Sequence, residues 1–298
     1  MNYSKTLLIW ILFASCSHSP RPFIPPEPFK IADGTPFIVL GDWGRRGSAG
    51  QIEVANAMAH IAQTFDVEFI ISTGDNFYNR GVKSLEDAHW KESFESVYSH
   101  TALTVPWYIS LGNHDHFGNV HAQIEYSKIS DRWILPAPYY SKIIDTQDNG
   151  TLHFLAVDTN PMKKNNKSVF EQYKWLDEAL DESDNDWTFI VGHHPIRTGG
   201  KHGETTNIIK NLKPMIDEHD VDVYFAGHDH DLQLLKDLNT HYVVSGGGSK
   251  IRKVTNTPYT LFSRSSLGFV LGTISKEKLH LYFINEQAQL LYAHTIEK

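Results

Sequence analysis

Residues 37–44 read FIVLGDWG, an apolar run followed by a glycine and an aspartate. A run of this kind is typical of a buried strand, and the glycine lets the backbone turn sharply where the strand ends. Four later runs follow the same plan: FIISTGD (69–75), WYISLGNHD (107–115), TFIVGHHP (188–195) and VYFAGHDH (223–230). Each predicts a strand that carries a side chain capable of binding metal at its carboxyl end.

Helical patterns separate these strands. Apolar residues spaced three and four apart predict helices over 52–65, 84–98 (capped by Ser84), 168–182 and 205–218. After the glycines at 246–248 the pattern changes to three consecutive strands, GFVLGTI, KLHLYFIN and QLLYAHTI. Strands that alternate with helices predict parallel pairing, and consecutive strands predict antiparallel pairing. We therefore predict an α/β fold, a two-sheet sandwich with mixed sheets and crossover helices, in one domain over 35–298.

The composition is that of a globular protein with excess negative charge. Of the 298 residues, 41% are hydrophobic and 21% are charged, and the formal net charge is -8 at pH 7. Nucleic acid is excluded as the main partner, because phosphate-backbone binding needs a basic surface and the chain has no long run of Lys and Arg. Phosphate substrates are not excluded, since bound cations can supply positive charge locally.

The N-terminus has the pattern of an export signal. Lys5 is followed by the apolar run LLIWILF (7–13), which is too short to span a bilayer, and then by small residues. The sequence FASC places Cys16, the single cysteine, where it resembles a bacterial lipoprotein processing site. We predict a signal peptide over 1–15 and a lipid anchor at Cys16, in the periplasm or outer membrane. The alternative is an ordinary secretory signal with an incidental cysteine.

The segment after the signal is rich in proline. Residues 19–30 read SPRPFIPPEPFK, a composition that favours an extended, semi-rigid chain. We predict a lipidated, proline-rich tether over 16–34 that holds the domain away from a membrane. The alternative is that its C-terminal part packs on the domain surface.

The strand-end motifs predict a metal site. In α/β sheets, ligands bind beyond the carboxyl ends of the strands, so five such motifs would meet at one end. Gly-Asp alone is common in turns, and a lone histidine is usually a core residue, so the inference rests on their coincidence. His228 and His230 add to it, because side chains two apart on an extended segment share a face. Carboxylates, an amide and imidazoles without thiolate favour Fe, Mn or Zn.

These motifs also resemble a known family. GDWG (41–44), GDNFY (74–78), GNHDH (112–116), GHHP (192–195) and GHDHDLQ (227–233) resemble, in order, the five blocks of the calcineurin-like metallophosphoesterases. The tyrosine in the second block is similar to that of the purple acid phosphatases, of the small tartrate-resistant type. The resemblance implies a ferric ion bound by Asp42, Tyr78 and His230, a divalent Fe, Zn or Mn ion bound by Asn113, His193 and His228, a bridging Asp75, and catalytic His114 and His202 on the substrate side.

Tyr78 has a physical explanation beside this resemblance. Gly44 stands where the wider superfamily supplies a histidine in its first block, so one donor is missing. Tyr78 lies three residues beyond Asp75, where it can replace that donor. A phenol has a pKa of about 10, but a trivalent cation stabilises the phenolate. The alternative, a packing aromatic residue, does not explain the missing histidine.

The predicted activity is that of an acid phosphatase, in which a metal-bound hydroxide attacks small-molecule or protein phosphate monoesters. We expect a monomer. One alternative is a phosphodiesterase, nucleotidase or protein phosphatase on the same scaffold. Another is a surface lipoprotein that binds metal without catalysis.

The roles of several side chains near the motifs stay open. Asp115 would either orient a histidine or cap a turn, and His194 would either reach substrate or face solvent. Lys201 stands where mammalian relatives carry an acid, so the leaving-group preference could differ. Arg45 and Arg46 would either attract anionic substrate or belong to the plain surface.

Overall fold

A computed structural model describes residues 19–27, 29–164 and 169–298. Within these residues the strands are β1 (Thr35–Leu40), β2 (Phe69–Ser72), β3 (Trp107–Ile109), β4 (Trp133–Ile134), β5 (Tyr140–Asp145), β6 (Thr151–Ala156), β7 (Trp187–Val191), β8 (Val223–Ala226), β9 (Leu232–Asp237), β10 (Thr240–Ser245), β11 (Thr260–Arg264), β12 (Gly268–Ile274), β13 (Lys278–Asn285) and β14 (Leu290–Glu297). The α-helices are α1 (Ala49–Phe65), α2 (Ala88–Trp90), α3 (Val120–Tyr126), α4 (Thr159–Lys164), α5 (Phe170–Asp181), α6 (Thr206–Asn211) and α7 (Lys213–Glu218).

The strands form two seven-stranded sheets. The first has the order β14-β13-β12-β1-β2-β3-β4, and the second has the order β11-β9-β10-β8-β7-β6-β5. Strands β1 to β4 run parallel, as do β6, β7, β8 and β10, whereas the remaining pairs are antiparallel. The predicted α/β sandwich with mixed sheets is confirmed.

The sheets meet through aromatic side chains. Phe37 of β1 stacks on Phe69 of β2, with ring centroids 5.1 Å apart. Across the interface, its ring lies 5.9 Å from Phe189 of β7 and 6.4 Å from Phe225 of β8. All four side chains are buried. Burying each contributes about 1.5–3 kcal/mol to the free energy of unfolding. This core fixes the two sheets face to face.

Helix α1 aligns the first two site-bearing strands. Its buried Val54, Met58 and Ile61 recur at spacings of four and three, and this stripe packs into the core. The helix ends at Phe65 and is capped by Asp66, which adopts a left-handed φ of 51° and donates its N–H to the Ala62 carbonyl. Because the helix returns the chain to the starting edge, β1 and β2 run parallel and end side by side.

The helix predicted over 84–98 is wrong at its start. Helix α2 begins at Ala88, and the chain continues as a π-helical turn over Lys91–Glu95. The Asp87 carboxylate accepts the backbone N–H groups of His89 (3.0 Å) and Lys83 (2.8 Å). Asp87 therefore caps the helix instead of Ser84.

The antiparallel strands also begin earlier than predicted. Strands β9 and β10 already pair antiparallel before the glycines at 246–248, and β11 extends that edge of the second sheet. Strands β4 and β5 were not predicted either. They lie at sheet edges, where the pairing partner and not the local pattern decides that a strand forms.

The proline-rich segment packs on the domain. The Arg21 N–H donates to the Glu53 carboxylate of α1 (2.9 Å), and the Phe29 ring lies 5.4 Å from that of Phe65. Further along, the Ala32 N–H donates to the Tyr282 hydroxyl (2.9 Å). Of the two alternatives for this segment, the structure therefore supports packing on the domain surface from Arg21 onward, where Phe29 finds an apolar partner.

The predicted signal peptide over 1–15 and Cys16 lie outside the described residues. Among the residues that the structure does describe, no helix has the length and apolar character needed to cross a membrane.

Candidate metal centre

All seven side chains predicted to bind metal lie at one end of the sandwich. Asp42, Asp75 and Asn113 follow β1, β2 and β3 of the first sheet, while His193 follows β7 and both His228 and His230 follow β8 of the second. Tyr78 lies in the loop beyond Asp75. The carboxyl ends of parallel strands from both sheets therefore converge, as the sequence predicted.

Three of these residues have a strained backbone. Asp42, Asp75 and His228 adopt left-handed φ angles of 60°, 53° and 68°. Such a conformation costs of order 1–3 kcal/mol for each residue without glycine's freedom, and it persists only where the surroundings enforce it. Here the Asp42 N–H donates to the Gly74 carbonyl (3.0 Å), and the His228 N–H donates to Asp42 Oδ2 (2.8 Å). The strain turns these side chains inward.

One half of the site centres on the Tyr78 hydroxyl. Its oxygen lies 2.6 Å from Asp42 Oδ1, 2.7 Å from Asp75 Oδ2 and 3.3 Å from His230 Nε2. A phenol carries one proton and can donate it to one acceptor at a time. Two carboxylate oxygens and an imidazole nitrogen around one hydroxyl, all buried, have the donor chemistry that a cation requires.

The second half centres on two histidines. His193 Nε2 lies 3.2 Å from His228 Nδ1 and 3.4 Å from Asp75 Oδ2. The ligand atoms of Asp75, His193 and His228 all lie within 4.8 Å of one another. Asn113 Oδ1 is buried and has no hydrogen-bond partner among the described residues. The facing imidazole nitrogens, and an orphaned amide oxygen at the end of β3, are both donors that fit a cation.

The electrostatics of the residues alone leave these groups competing for protons. Burial, together with the carboxylates of Asp42 and Asp75, raises the pKa of Tyr78 well above its usual value. Burial lowers the pKa of His193, but the Asp75 carboxylate more than offsets this and raises it to about 9. Burial and His193 together lower the pKa of His228 strongly. A cation that replaces these protons would relieve the conflict.

Gly44 allows the loop that carries Tyr78 to pack close to the end of β1. A Cβ at this position would lie 1.8 Å from the carbonyl oxygen of Asn76, so no larger residue fits there. The Gly44 carbonyl instead accepts the Tyr78 N–H (2.7 Å). This close approach draws the loop inward and places the phenol against Asp42. A histidine side chain at position 44 would have no room.

The two predicted catalytic histidines lie at the mouth of the site. The His114 N–H donates to Asp75 Oδ1 (2.7 Å), its Nδ1 lies 2.6 Å from the Asn79 carbonyl, and 27% of its side chain is exposed. His202 is exposed, and its ring stacks on that of His228 with centroids 4.1 Å apart. Both therefore border the seven-residue cluster.

Asp115 proves to hold loops and does not bond a histidine. Its buried carboxylate accepts the Gly112 N–H (2.8 Å), the Asn76 side-chain amide (3.0 Å) and the Gln123 amide (3.1 Å). Burial, reinforced by the nearby Asp75 charge, raises its pKa to about 7. Of the two predicted roles, the structure supports the turn.

Both predictions for His194 are wrong. The side chain is buried, and its Nδ1 lies 2.9 Å from the Thr159 hydroxyl, so it neither faces solvent nor lines the mouth. Lys201, which directly precedes His202, is exposed. Arg45 is not plain surface, because it is half-buried and its guanidinium lies 3.5 Å from the centroid of the Tyr78 ring.

Sequence reasoning missed Arg252. Its N–H donates to the His230 carbonyl (2.8 Å), and its guanidinium contacts His202 Nε2. The available signal was the basic stretch SKIRK (249–253), directly after the three glycines. That signal is weak, because only the folded loop brings the stretch to the site.

Comparisons with known proteins agree with this geometry. The model of the family "Calcineurin-like phosphoesterase" matches residues 35–232. Purple acid phosphatase 3 of Arabidopsis thaliana is 35% identical, over 95% of this chain and 83% of the relative. Tartrate-resistant acid phosphatase type 5 of Mus musculus is 36% identical, over 88% of this chain and 90% of the relative.

A solved structure is similar over almost the same extent. It is that of GAP50, described as the anchor in the inner membrane complex of Plasmodium, with a TM-score of 0.82, 27% identity and 89% of each chain covered. The family match includes the site-bearing strands β1 to β8. The two relatives cover most of the chain. The chain therefore belongs to the purple acid phosphatases, within the calcineurin-like phosphoesterase family.

Proposed function

We propose that this binuclear-metal phosphomonoesterase uses a ferric ion bound by Asp42, Tyr78 and His230, and a divalent Fe, Zn or Mn ion bound by Asn113, His193 and His228. Asp75 would bridge the two ions. The carrying observation is that one oxygen, Asp75 Oδ2, lies 2.7 Å from the Tyr78 hydroxyl and 3.4 Å from His193 Nε2. One carboxylate thus reaches both halves of the site.

When bound, the metal pair would supply Lewis acidity and activate a water molecule below neutral pH. The chain's own residues prepare the site for this. His193 Nδ1 lies 3.0 Å from the Thr73 carbonyl, an acceptor, so Nδ1 carries the proton and Nε2 faces the cluster. This outer hydrogen bond sets the orientation of the imidazole, as such bonds commonly do for metal-binding histidines.

His114 is the candidate proton donor to the leaving group. Its Nδ1 donates to the Asn79 carbonyl, so its Nε2 stands 3.9 Å from Asp75 Oδ2 at the exposed mouth. A donor in this place can protonate the departing alkoxide, since it borders both solvent and the metal-binding carboxylate.

His114→Asn is expected to lower kcat/KM for p-nitrophenyl phosphate by about 10²–10⁴-fold, the usual contribution of a general acid. Metal content should stay unchanged, because the backbone N–H that bonds Asp75 remains. His116→Asn is the matched control, since His116 lies in the same loop as His114 but its ring is held by Asp158 (2.9 Å). Undiminished activity in His114→Asn would reject the proton-donor role, and loss of metal would reassign His114 to site assembly.

The same assay separates the substrate alternatives. A monoesterase hydrolyses p-nitrophenyl phosphate faster than bis(p-nitrophenyl) phosphate, and the reverse order would favour the phosphodiesterase alternative. The similarity to GAP50, an anchor, keeps a non-catalytic role as the second candidate. A metal-loaded chain that turns over neither ester would establish that second candidate.

We also propose that the chain is exported and anchored through lipid on Cys16. The support is the signal-like pattern of residues 1–15, which lie outside the described residues. The full chain, expressed in a bacterial host, is expected to enter the detergent phase on phase partitioning, and Cys16→Ser should move it to the aqueous phase. Aqueous partitioning of both would instead support an ordinary secretory signal. The monomeric state stays a prediction.

A further inference from the structure

A basic cleft adjoins the proposed metal centre. Its volume is about 450 Å³, and one wall is formed by Tyr78 and the following Asn79. Four cationic side chains line it: Arg45, Arg46, Arg80 and Lys83. The cleft therefore begins at a residue of the metal-binding cluster and continues along positively charged side chains.

Most of this positive charge is not neutralised by the protein. Among the described residues, no carboxylate oxygen lies within 4.0 Å of the charged nitrogens of Arg45, Arg80 or Lys83. Only Arg46 forms an ion pair, with Glu92. The one acidic residue of the lining, Asp87, is engaged by two backbone N–H groups. In a chain of formal net charge -8, three unpaired cations around one cleft favour an anionic ligand.

Two of the cations are held in place. The Arg45 Nε donates to the Ser249 hydroxyl (2.9 Å) while its guanidinium covers the Tyr78 ring, so its terminal N–H groups are positioned in advance. Arg80 Nη1 reaches the Phe117 carbonyl (3.4 Å), and the Phe117 ring lies 5.5 Å from that of His114. The cleft is also lined by Asn79, whose carbonyl holds His114, the proposed proton donor to the leaving group.

We propose that this cleft binds a second phosphate group carried by the leaving group of the substrate, so that the enzyme prefers small bisphosphorylated esters over monophosphates. Guanidinium groups bind phosphate through paired N–H donors, and a cleft of this size accepts a phosphorylated sugar. The inference rests on the proposed function, since one phosphate reacts at the metal centre while the other is held in the cleft.

The test compares glucose 1,6-bisphosphate with glucose 1-phosphate and glucose 6-phosphate. For the wild type, kcat/KM for the bisphosphate should exceed that of the better monophosphate by about tenfold or more, the effect of one charge-assisted hydrogen bond. The double variant Arg80→Gln/Lys83→Gln should remove most of this preference. Its kcat/KM for p-nitrophenyl phosphate, which has no second phosphate, should stay within about twofold of the wild type, because neither residue touches the metal cluster.

The matched control is Lys276→Gln/Lys278→Gln, which makes the same change in charge at the other end of the molecule. These lysines follow Ile274, which pairs with Thr35 at the start of β1. Asp42 follows the end of the same strand, so the lysines lie at the end of β1 opposite the site. This variant should keep the bisphosphate preference. An equal loss in both double variants would mean general electrostatic attraction and would overturn the cleft as a site. So would a wild type without the preference.

Failure of the proposed function gives a different result. If the metal-loaded wild type does not hydrolyse p-nitrophenyl phosphate, calorimetric binding of glucose 1,6-bisphosphate still tests the cleft. Binding that weakens about tenfold in Arg80→Gln/Lys83→Gln but not in the lysine control would support the cleft. Binding that is equal in all three proteins, or absent from the wild type, would overturn it.

Discussion

Asp75→Asn is expected to remove both metal ions from the purified protein and to lower kcat/KM for p-nitrophenyl phosphate by about 10³-fold or more, since even outer-shell partners of a metal contribute 10- to 100-fold. Asp75 Oδ2 lies within reach of both halves of the site. Asparagine has the same size but no charge, and it also tolerates the left-handed φ of 53° at this position. The loss would therefore come from charge and not from backbone strain.

Metal analysis after gel filtration and steady-state kinetics measure this effect together. Asp222→Asn is the control. Asp222 directly precedes β8, whereas His228 follows the other end of that strand, and the partly buried carboxylate of Asp222 accepts the Thr188 N–H (2.8 Å). The control should retain both metals and most of its activity. An Asp75→Asn protein that keeps two tightly bound metals would show that Asp75 does not bridge them.

A phenolate bound to ferric iron is expected to give the iron-loaded protein a visible absorption band, and Tyr78→Phe is expected to abolish it. The same change is expected to lower activity by about a hundredfold or more, an effect at least as large as that of an outer-shell partner. The change removes only the hydroxyl that lies 2.6 Å from Asp42 Oδ1. The ring can still pack against Arg45 and His114. Any loss of colour would therefore report the phenolate oxygen and not a collapse of the loop.

The pKa of Tyr78 adds a second measurement. Burial and the two neighbouring carboxylates raise this pKa well above 10, so without metal the phenol stays protonated throughout the neutral range. Phenolate absorption should therefore be absent from the metal-free protein at neutral pH and appear when ferric ion is added. Phenolate absorption should appear only on addition of the ferric ion, because the cation has to displace the phenolic proton.

Tyr98→Phe is the matched control for the colour. Its phenol is buried against the Trp43 ring, at a centroid distance of 5.4 Å, and has no hydrogen-bond partner among the described residues. This variant should keep the wild-type band. A colourless wild type with two bound metals would reject ferric iron on Tyr78, and colour that persists in Tyr78→Phe would place the phenolate elsewhere.

The sequence alone was sufficient to predict the sandwich and the meeting of seven distant side chains. The reason is local: an apolar run needs a strand, and the glycine at its end lets the following Asp, Asn or His turn toward the sheet edge. Parallel pairing then brings those edges together whatever connects them. Gly44 likewise led to the prediction that Tyr78 substitutes for a missing donor.

Other features depended on contacts that no local pattern carries. The composition of the segment around Phe29 favours an extended tether, whereas in the folded chain the Phe29 ring packs against the rings of Phe65 and Tyr282. His194 follows His193 directly, yet β7 turns one imidazole into the cluster and the other onto Thr159. Both imidazoles are buried, so what packs against each one decides which way it faces.

The basic cleft and Arg252 show the same division most clearly. Arg45, Arg80 and Lys83 are separated along the chain by other residues, and nothing in their spacing marks them as one surface. Arg252 reaches His202 across fifty residues. The sequence determined which chemistry the strand ends carry, because backbone geometry and ligand type are local properties. Only the tertiary structure decided which charges surround that chemistry, because the position of a surface side chain depends on the loops folded beside it.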